Sequence, residues 1–314
     1  MSIEATLREE ARRLLERGEV EAVIGWRKGE GSLRGVVYIA EAPKEVEHLT
    51  FGPLCQGSTA NFVKRVEGRV AVVARGCDAR ALNVLIQEGQ VRREDLFILG
   101  VRCPGMVDLR KLLALLGGEP PPSTEVEVRG EEVAVKTEGE EALLRAREVL
   151  RGSCLSCEHP DPVVFDLLIG KEGRSPAEAP YAEVEEFELR PPDERWAFWE
   201  DEFGRCVRCF ACRNACPVCY CEPCVFQAYP FLDRSSNFVA NGLFHLVRAM
   251  HVAGRCVNCG ECEAACPEGI PMRLLYRRLE KEIRERFGYL AGIRTDLPPV
   301  LGTYGPEDRD EFIR

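Results

Sequence analysis

A chain of 314 residues that is 45% hydrophobic can build two compact units, and its formal net charge of −10 leaves no basic face for phosphates, which argues against nucleic acid as a partner. The first ten residues hold no basic stretch followed by an apolar one, and no apolar run approaches the length of a membrane span, so a cytoplasmic protein without a transmembrane segment is expected. Its 16 cysteines fall largely in tight C-x2-C runs, which reads as metal ligation rather than disulfide pairing.

Ser2 is placed to cap a helix whose apolar face is Ile3, Leu7, Leu14 and Leu15, closed by Gly18. Strand patterns follow at residues 20–26, 34–40 and 69–75. The third ends in Gly76-Cys77-Asp78, where Asp78 is read as the cap of a helix running to about Gln90. Residues 95–101 form another apolar strand, ending at Arg102-Cys103-Pro104-Gly105. Strand, turn, helix, strand with cysteines at the strand ends predicts an α/β sheet whose C-terminal edge holds the chemistry.

Residues 117–139, with Pro120 to Pro122 and alternating valines, read as a linker and a hairpin. A helix is expected over 140–150, then the pair Cys154 and Cys157. The stretch 173–194, rich in Pro and Glu, is taken as the boundary between two domains, and its acidic run Glu183 to Glu188 as a solvated linker.

The second part contains a repeat. Cys206-x2-Cys209-x2-Cys212-x3-Cys216-Pro217 recurs as Cys256-x2-Cys259-x2-Cys262-x3-Cys266-Pro267. Three thiolates of each run wrap one cubane while the fourth, before the proline, reaches the other, so the expected ligand sets are Cys206, Cys209, Cys212 and Cys266 for one 4Fe-4S cluster and Cys256, Cys259, Cys262 and Cys216 for the second. Tetrahedral zinc also uses C-x2-C pairs, but as two separated pairs rather than four cysteines in one short run with a trailing proline. Helices are expected over 237–254 and 272–286, giving a helical ferredoxin-like module.

Arg205, Arg208, Arg213 and Arg255 flank these runs, either offsetting cluster charge or lying solvated at the surface. Cys219, Cys221 and Cys224 are left over, as alternate ligands or inert thiols, and Cys55 is a spare. His245 and His251 read as packing or surface residues. Cys77, Cys103, Cys154 and Cys157 stand either as small core residues or as ligands of a third cluster.

Gly76-Cys77-Asp78-Ala79-Arg80, the stretch from Gln90 through Cys103 to Gly105, and Cys154-Leu155-Ser156-Cys157 leading to Gly170 together resemble the beta subunits of coenzyme F420-reducing hydrogenase and F420-dependent formate dehydrogenase over roughly residues 10–170. The C-terminal part is similar to ferredoxin modules attached to such subunits and to the helical ferredoxins of heterodisulfide-reductase-type complexes. The resemblance implies an α/β domain holding FAD beside one 4Fe-4S cluster, with Cys77, Cys103, Cys154 and Cys157 as its ligands. It also implies hydride exchange with F420 and passage of single electrons to catalytic or electron-accepting subunits, with NAD(P)H as the two-electron partner and a ferredoxin as the acceptor left as alternatives. One departure is that no Gly-Gly-x-x-Thr turn is read before the first helix, so a flavin-phosphate contact of the family is expected to be missing.

The expected fold is thus an α/β N-terminal domain, a central sheet with flanking helices, over 1–175. A linker over 176–200, a mainly helical dicluster ferredoxin-like domain over 201–290 and an extended tail over 291–314 follow, the tail suited to ordering against another subunit. The expected role is an oxidoreductase subunit that acts only within a complex, converting hydride to single-electron transfer, or a flavin-free iron–sulfur relay.

Overall fold

In the computed structural model, which describes residues 2–171, 173–228, 237–297 and 299–300, Ser2 Oγ accepts from the Ala5 N–H and starts helix α1 (Ile3–Glu16), whose Leu7, Ala11 and Leu14 are buried. Gly18 takes the left-handed conformation just beyond it. Strands β1 (Ala22–Lys28), β2 (Gly35–Ala40), β3 (Leu49–Thr50) and β4 (Val70–Ala74) follow, then helix α2 (Gly76–Gln87) and β5 (Leu96–Val101). With β9 (Leu167–Ile169) they form one sheet of order β2-β1-β4-β5-β9, β3 pairing with β1. β1, β4, β5 and β9 run parallel, so the residues after them share one edge.

Alternation along the strands divides the core. Val23, Ala71, Val73, Leu99 and Val101 face α1, whereas Ile24, Val72, Ala74 and Ile98 face Leu82 and Leu85 of α2. The second face continues without a break into Ala253, Val257, Ile283, Tyr289 and Ala291 of the C-terminal part. The two halves therefore share a core, and each fully buried Val, Leu or Ile across it contributes about 1.5–3 kcal/mol.

Two expectations for the first half are corrected. Asp78 is not the N-cap residue of α2 but the acidic partner in its capping box. It sits one turn inside, where its carboxylate accepts from Arg75 N–H, from Arg75 Nε at 2.7 Å and from the Ser58 hydroxyl at 2.6 Å, while Arg75 is the cap residue. Nor is 140–150 one helix. After α3 (Leu109–Leu116), strands β6 (Glu125–Arg129), β7 (Glu132–Thr137) and β8 (Glu140–Arg145) form an antiparallel sheet, and only α4 (Ala146–Val149) is helical. Ala142 pairs with Val135 and Leu144 with Val133, so sheet pairing overrides the helical propensity of Glu140 to Leu144.

The short helix α5 (Gly152–Leu155) carries Cys154. The stretch 176–200 holds α6 (Ala182–Glu188) and most of α7 (Pro192–Gly204). Its acidic run is solvated, as expected, but also ion-paired: Glu183 bonds Arg273, Glu185 bonds Lys281 at 2.9 Å and Glu188 bonds Arg278. Then come α8 (Ala211–Asn214), α9 (Val225–Ala228), α10 (Phe238–Val252), capped by the Asn237 side chain, α11 (Glu261–Ala264) and α12 (Met272–Phe287). Most of the tail expected to order against a partner, residues 298 and 301–314, lies outside the described residues. No helix among the described residues is long and apolar enough to cross a membrane.

Candidate metal centres

The two cysteine runs fold alike. In the first, Arg208 and Phe210 adopt positive φ (51° and 59°) before α8; in the second, Asn258 and Gly260 do (55° and 76°) before α11. The left-handed residues curl the chain so that successive thiols turn to one side, and the Arg208 N–H points at Cys206 Sγ at 3.4 Å. α8 and α11 pack against each other, which brings the end of each run to the start of the other.

Thiol electrostatics report the resulting groups. Burial pushes the Cys212 thiol up to about 11, and Cys206, Cys266 and Cys209 add to it. Burial likewise raises Cys256 to about 11, with Cys216 contributing, and raises Cys259 and Cys262, each of which also feels Cys216. Cys216, Cys256, Cys259 and Cys262 line one small internal cavity with Arg248, Tyr276 and Val257. Cys266 thus lies with the thiols of the first run, and Cys216 with those of the second.

In the first half Cys77 enters on the first turn of α2, Cys103 just after β5, and Cys154 and Cys157 on and after α5. Burial raises Cys77, with Cys103 and Cys157 contributing, and takes Cys103 to about 12 and Cys157 to about 11, each with Cys154 contributing. The Met106 N–H lies 3.2 Å from Cys154 Sγ. This third group adjoins the second, since Cys259 also feels the charge of Cys77. Among the described residues no three His, Cys, Asp or Glu side chains gather closely enough to hold a single metal ion.

Several residues around these groups have no signature in a cysteine pattern. His245 of α10 places Nε2 3.3 Å from Cys206 Sγ, so it is more than a packing residue. Asn241, one helical turn earlier, donates to the carbonyls of Cys206 and Phe203 at 2.7 and 2.9 Å. Arg248, one turn later, donates to the Cys212 carbonyl at 3.0 Å and lies over the Tyr276 ring. Their spacing at 241, 245 and 248 on a helix beside a cysteine run is the one signal that could have found them. Of the flanking arginines, Arg205 and Arg213 are engaged with backbone carbonyls of Glu268 and Cys221, Arg208 with that of Ala240, and Arg255 with Glu88.

Between the second and third groups, Glu261 accepts from Arg151 at 2.8 Å and from the Gly57 N–H at 3.1 Å, and lies 3.6 Å from Arg75. Burial would raise this carboxyl, but Arg151 and Arg75 overcome it and hold it below the usual carboxylate range. The left-over Cys219, Cys221 and Cys224 line a separate, mainly apolar cavity with Phe226, Phe244 and His251. Cys55 is buried beneath Gly35, its thiol pushed up to about 11 by burial.

A polar cleft of about 430 Å³ opens at the sheet's C-terminal edge, between the start of β2 (Arg34), the segment after β5 (Arg110, Lys111), Gly152 beside Cys154, and Arg273 of α12.

Residues 202–270 match the family model of the 4Fe-4S dicluster domain. The chain is 25% identical to the F420-dependent formate dehydrogenase subunit beta of Methanocaldococcus jannaschii, over 92% of this chain and 91% of that protein. It is 23% identical to the F420-dependent formate dehydrogenase 1 subunit beta of Methanococcus maripaludis, over 92% and 90%. A chain of the F420-reducing nickel–iron hydrogenase complex from Methanosarcina barkeri aligns at TM-score 0.42 and 16% identity, over 49% of this chain and 59% of that one. The chain is thus similar over nine-tenths of its length to F420-dependent formate dehydrogenase beta subunits, and it carries a 4Fe-4S dicluster domain over residues 202–270.

Proposed function

We propose that the chain is the electron-transfer beta subunit of an oxidoreductase complex of the formate dehydrogenase or hydrogenase type. In this reading it holds three 4Fe-4S clusters: a first centre on Cys206, Cys209, Cys212 and Cys266, a second on Cys256, Cys259, Cys262 and Cys216, and a third on Cys77, Cys103, Cys154 and Cys157. The observation that carries it is that the twelve thiols fall into three mutually interacting sets of four, the second lining one cavity. Burial raises Cys77, Cys103, Cys157, Cys206, Cys212, Cys256, Cys259 and Cys262, so their thiolates need the positive charge that iron supplies.

FAD is the finer part of the reading. The polar cleft suits its diphosphate through Arg34, Arg110 and Lys111, although Asp108, Glu183 and Glu263 also line it and the Arg273 guanidinium packs against Gly152, while Leu109 and Pro271 offer apolar surface to a ring. Bound flavin supplies exchange between a hydride and two single electrons. What this chain contributes is the cationic cradle, a wall shared with Ser153 beside Cys154, and a neighbouring set of thiols to take the electrons singly. The two-electron partner, F420 or NAD(P)H, and the catalytic subunit follow from the relatives' names and the same chemistry.

The test is anaerobic purification with iron, sulfide and flavin analysis. About twelve irons and one FAD per chain are expected for three cubanes and a flavin. Iron and sulfide without FAD would leave the flavin-free relay, and zinc without inorganic sulfide would overturn the reading.

A further inference from the structure

Resting on the ligand sets proposed above, we infer that Glu261 is a positioning residue that electrostatically couples the third centre to the second, so that electrons move in single file from the third centre through the second to the first. Glu261 lies between Cys259 and Cys262 in the second run, yet its carboxylate points out of that module. It reaches Arg151, three residues before Cys154, and Arg75, two before Cys77, and accepts the Gly57 N–H. All three charged side chains are at least 95% buried. Arg75 is held by Asp78 at 2.7 Å and lies over the Trp26 ring at 4.7 Å, so the guanidinium cannot swing away.

Two guanidinium charges and two carboxylates therefore balance in a closed pocket between two thiol sets. Charge is felt strongly in such a place because water does not screen it. The order of centres follows from the same geometry. Ser153, next to Cys154, donates its hydroxyl to the Cys259 carbonyl at 3.4 Å, joining the third set to the second. Cys216, a member of the second set, continues the backbone of the run that supplies Cys206, Cys209 and Cys212 to the first. In the transfer, one electron leaves the third centre, which is oxidised by one, and one enters the second, which is reduced by one; no bond is made or broken. Cys209 is exposed, so the first centre is the one at the surface.

The charge balance predicts opposite signs for two substitutions. Glu261→Gln leaves a guanidinium uncompensated and should shift the midpoint potentials of the second and third centres upward, leaving the first unchanged. Arg151→Gln leaves a carboxylate uncompensated and should shift the same two downward. Glu261→Asp keeps the charge and should stay near the parent. Potentiometric titration of the whole chain monitored by paramagnetic resonance reads all three, the first being assigned by its loss in Cys209→Ser. If Glu261→Gln fails to assemble its clusters, the Arg151→Gln and Glu261→Asp pair carries the same test. Shifts of one sign in both variants, equal shifts in all three centres, or none, would overturn the inference. A parent protein with fewer than three centres would instead overturn the ligand reading beneath it.

Discussion

His245 Nε2 lies 3.3 Å from Cys206 Sγ while the same ring stacks on Phe203, centroids 4.7 Å apart. Burial, with Arg248 and Arg208 adding to it, takes the imidazole down to about 3, so the ring is neutral, and an iron-bound Cys206 thiolate, which can only accept, would set its proton on Nε2. Hydrogen bonds to cluster sulfurs stabilise the reduced, more negative state. His245→Phe keeps the stacking and removes the donor. We expect it to lower the midpoint potential of the first centre alone, read by potentiometric titration, with the iron content unchanged; a shifted second centre would contradict the assignment.

The crossed sharing of cysteines makes a separate prediction. Cys209→Ser and Cys259→Ser should each lower the iron content by about four per chain, an expectation from one cubane per ligand set. Cys266→Ser should deplete the same centre as Cys209→Ser, although Cys266 belongs to the other run. Resonance spectra in which Cys266→Ser instead matches Cys259→Ser would show that each run closes its own cluster.

Iron also bears on stability. Cys206, Cys212, Cys262 and Cys266 belong to the buried core of the C-terminal module, beside Phe244, Val252 and Tyr276. Removing the clusters leaves buried thiols around empty space, so chelation should expose α10 and α12 to amide exchange well before β4 and β5. Hydrogen exchange followed by mass spectrometry checks this, and uniform exposure of both halves would count against it.

Gly292 tests how the halves are joined. Its φ is +71°, and a Cβ there would lie 2.1 Å from the Arg80 carbonyl oxygen. Nearby, Arg80 Nε donates to the Ala291 carbonyl at 2.9 Å and Asn83 Nδ2 to that of Gly292 at 2.9 Å. Gly292→Ala should destabilise the protein by roughly 1–3 kcal/mol, the cost of such backbone strain, seen as a lower denaturation midpoint. An unchanged midpoint would mean that this contact does not hold the halves together.

The cysteine runs were fully legible because their chemistry is local: a fixed spacing before a proline brings three thiols to one side through a few backbone torsions, whatever surrounds them. The unbroken apolar runs at 70–74 and 96–101 were legible as buried strands for the same reason, since a short apolar run bounded by turn residues is a property of neighbours in sequence. Residues 140–145 were not, because their helical propensity is overruled by pairing with β7, a partner the segment itself does not specify. His245, Arg248 and Glu261 were also hidden. Each is an ordinary residue on a helix until packing sets it against a thiol or a guanidinium from another part of the chain. The sequence by itself determined the two cysteine runs and the crossed ligand sets we propose for them, because their spacing is local. Only the tertiary structure decided that the second and third groups adjoin and share one buried set of balanced charges, because that depends on contacts between residues more than a hundred positions apart.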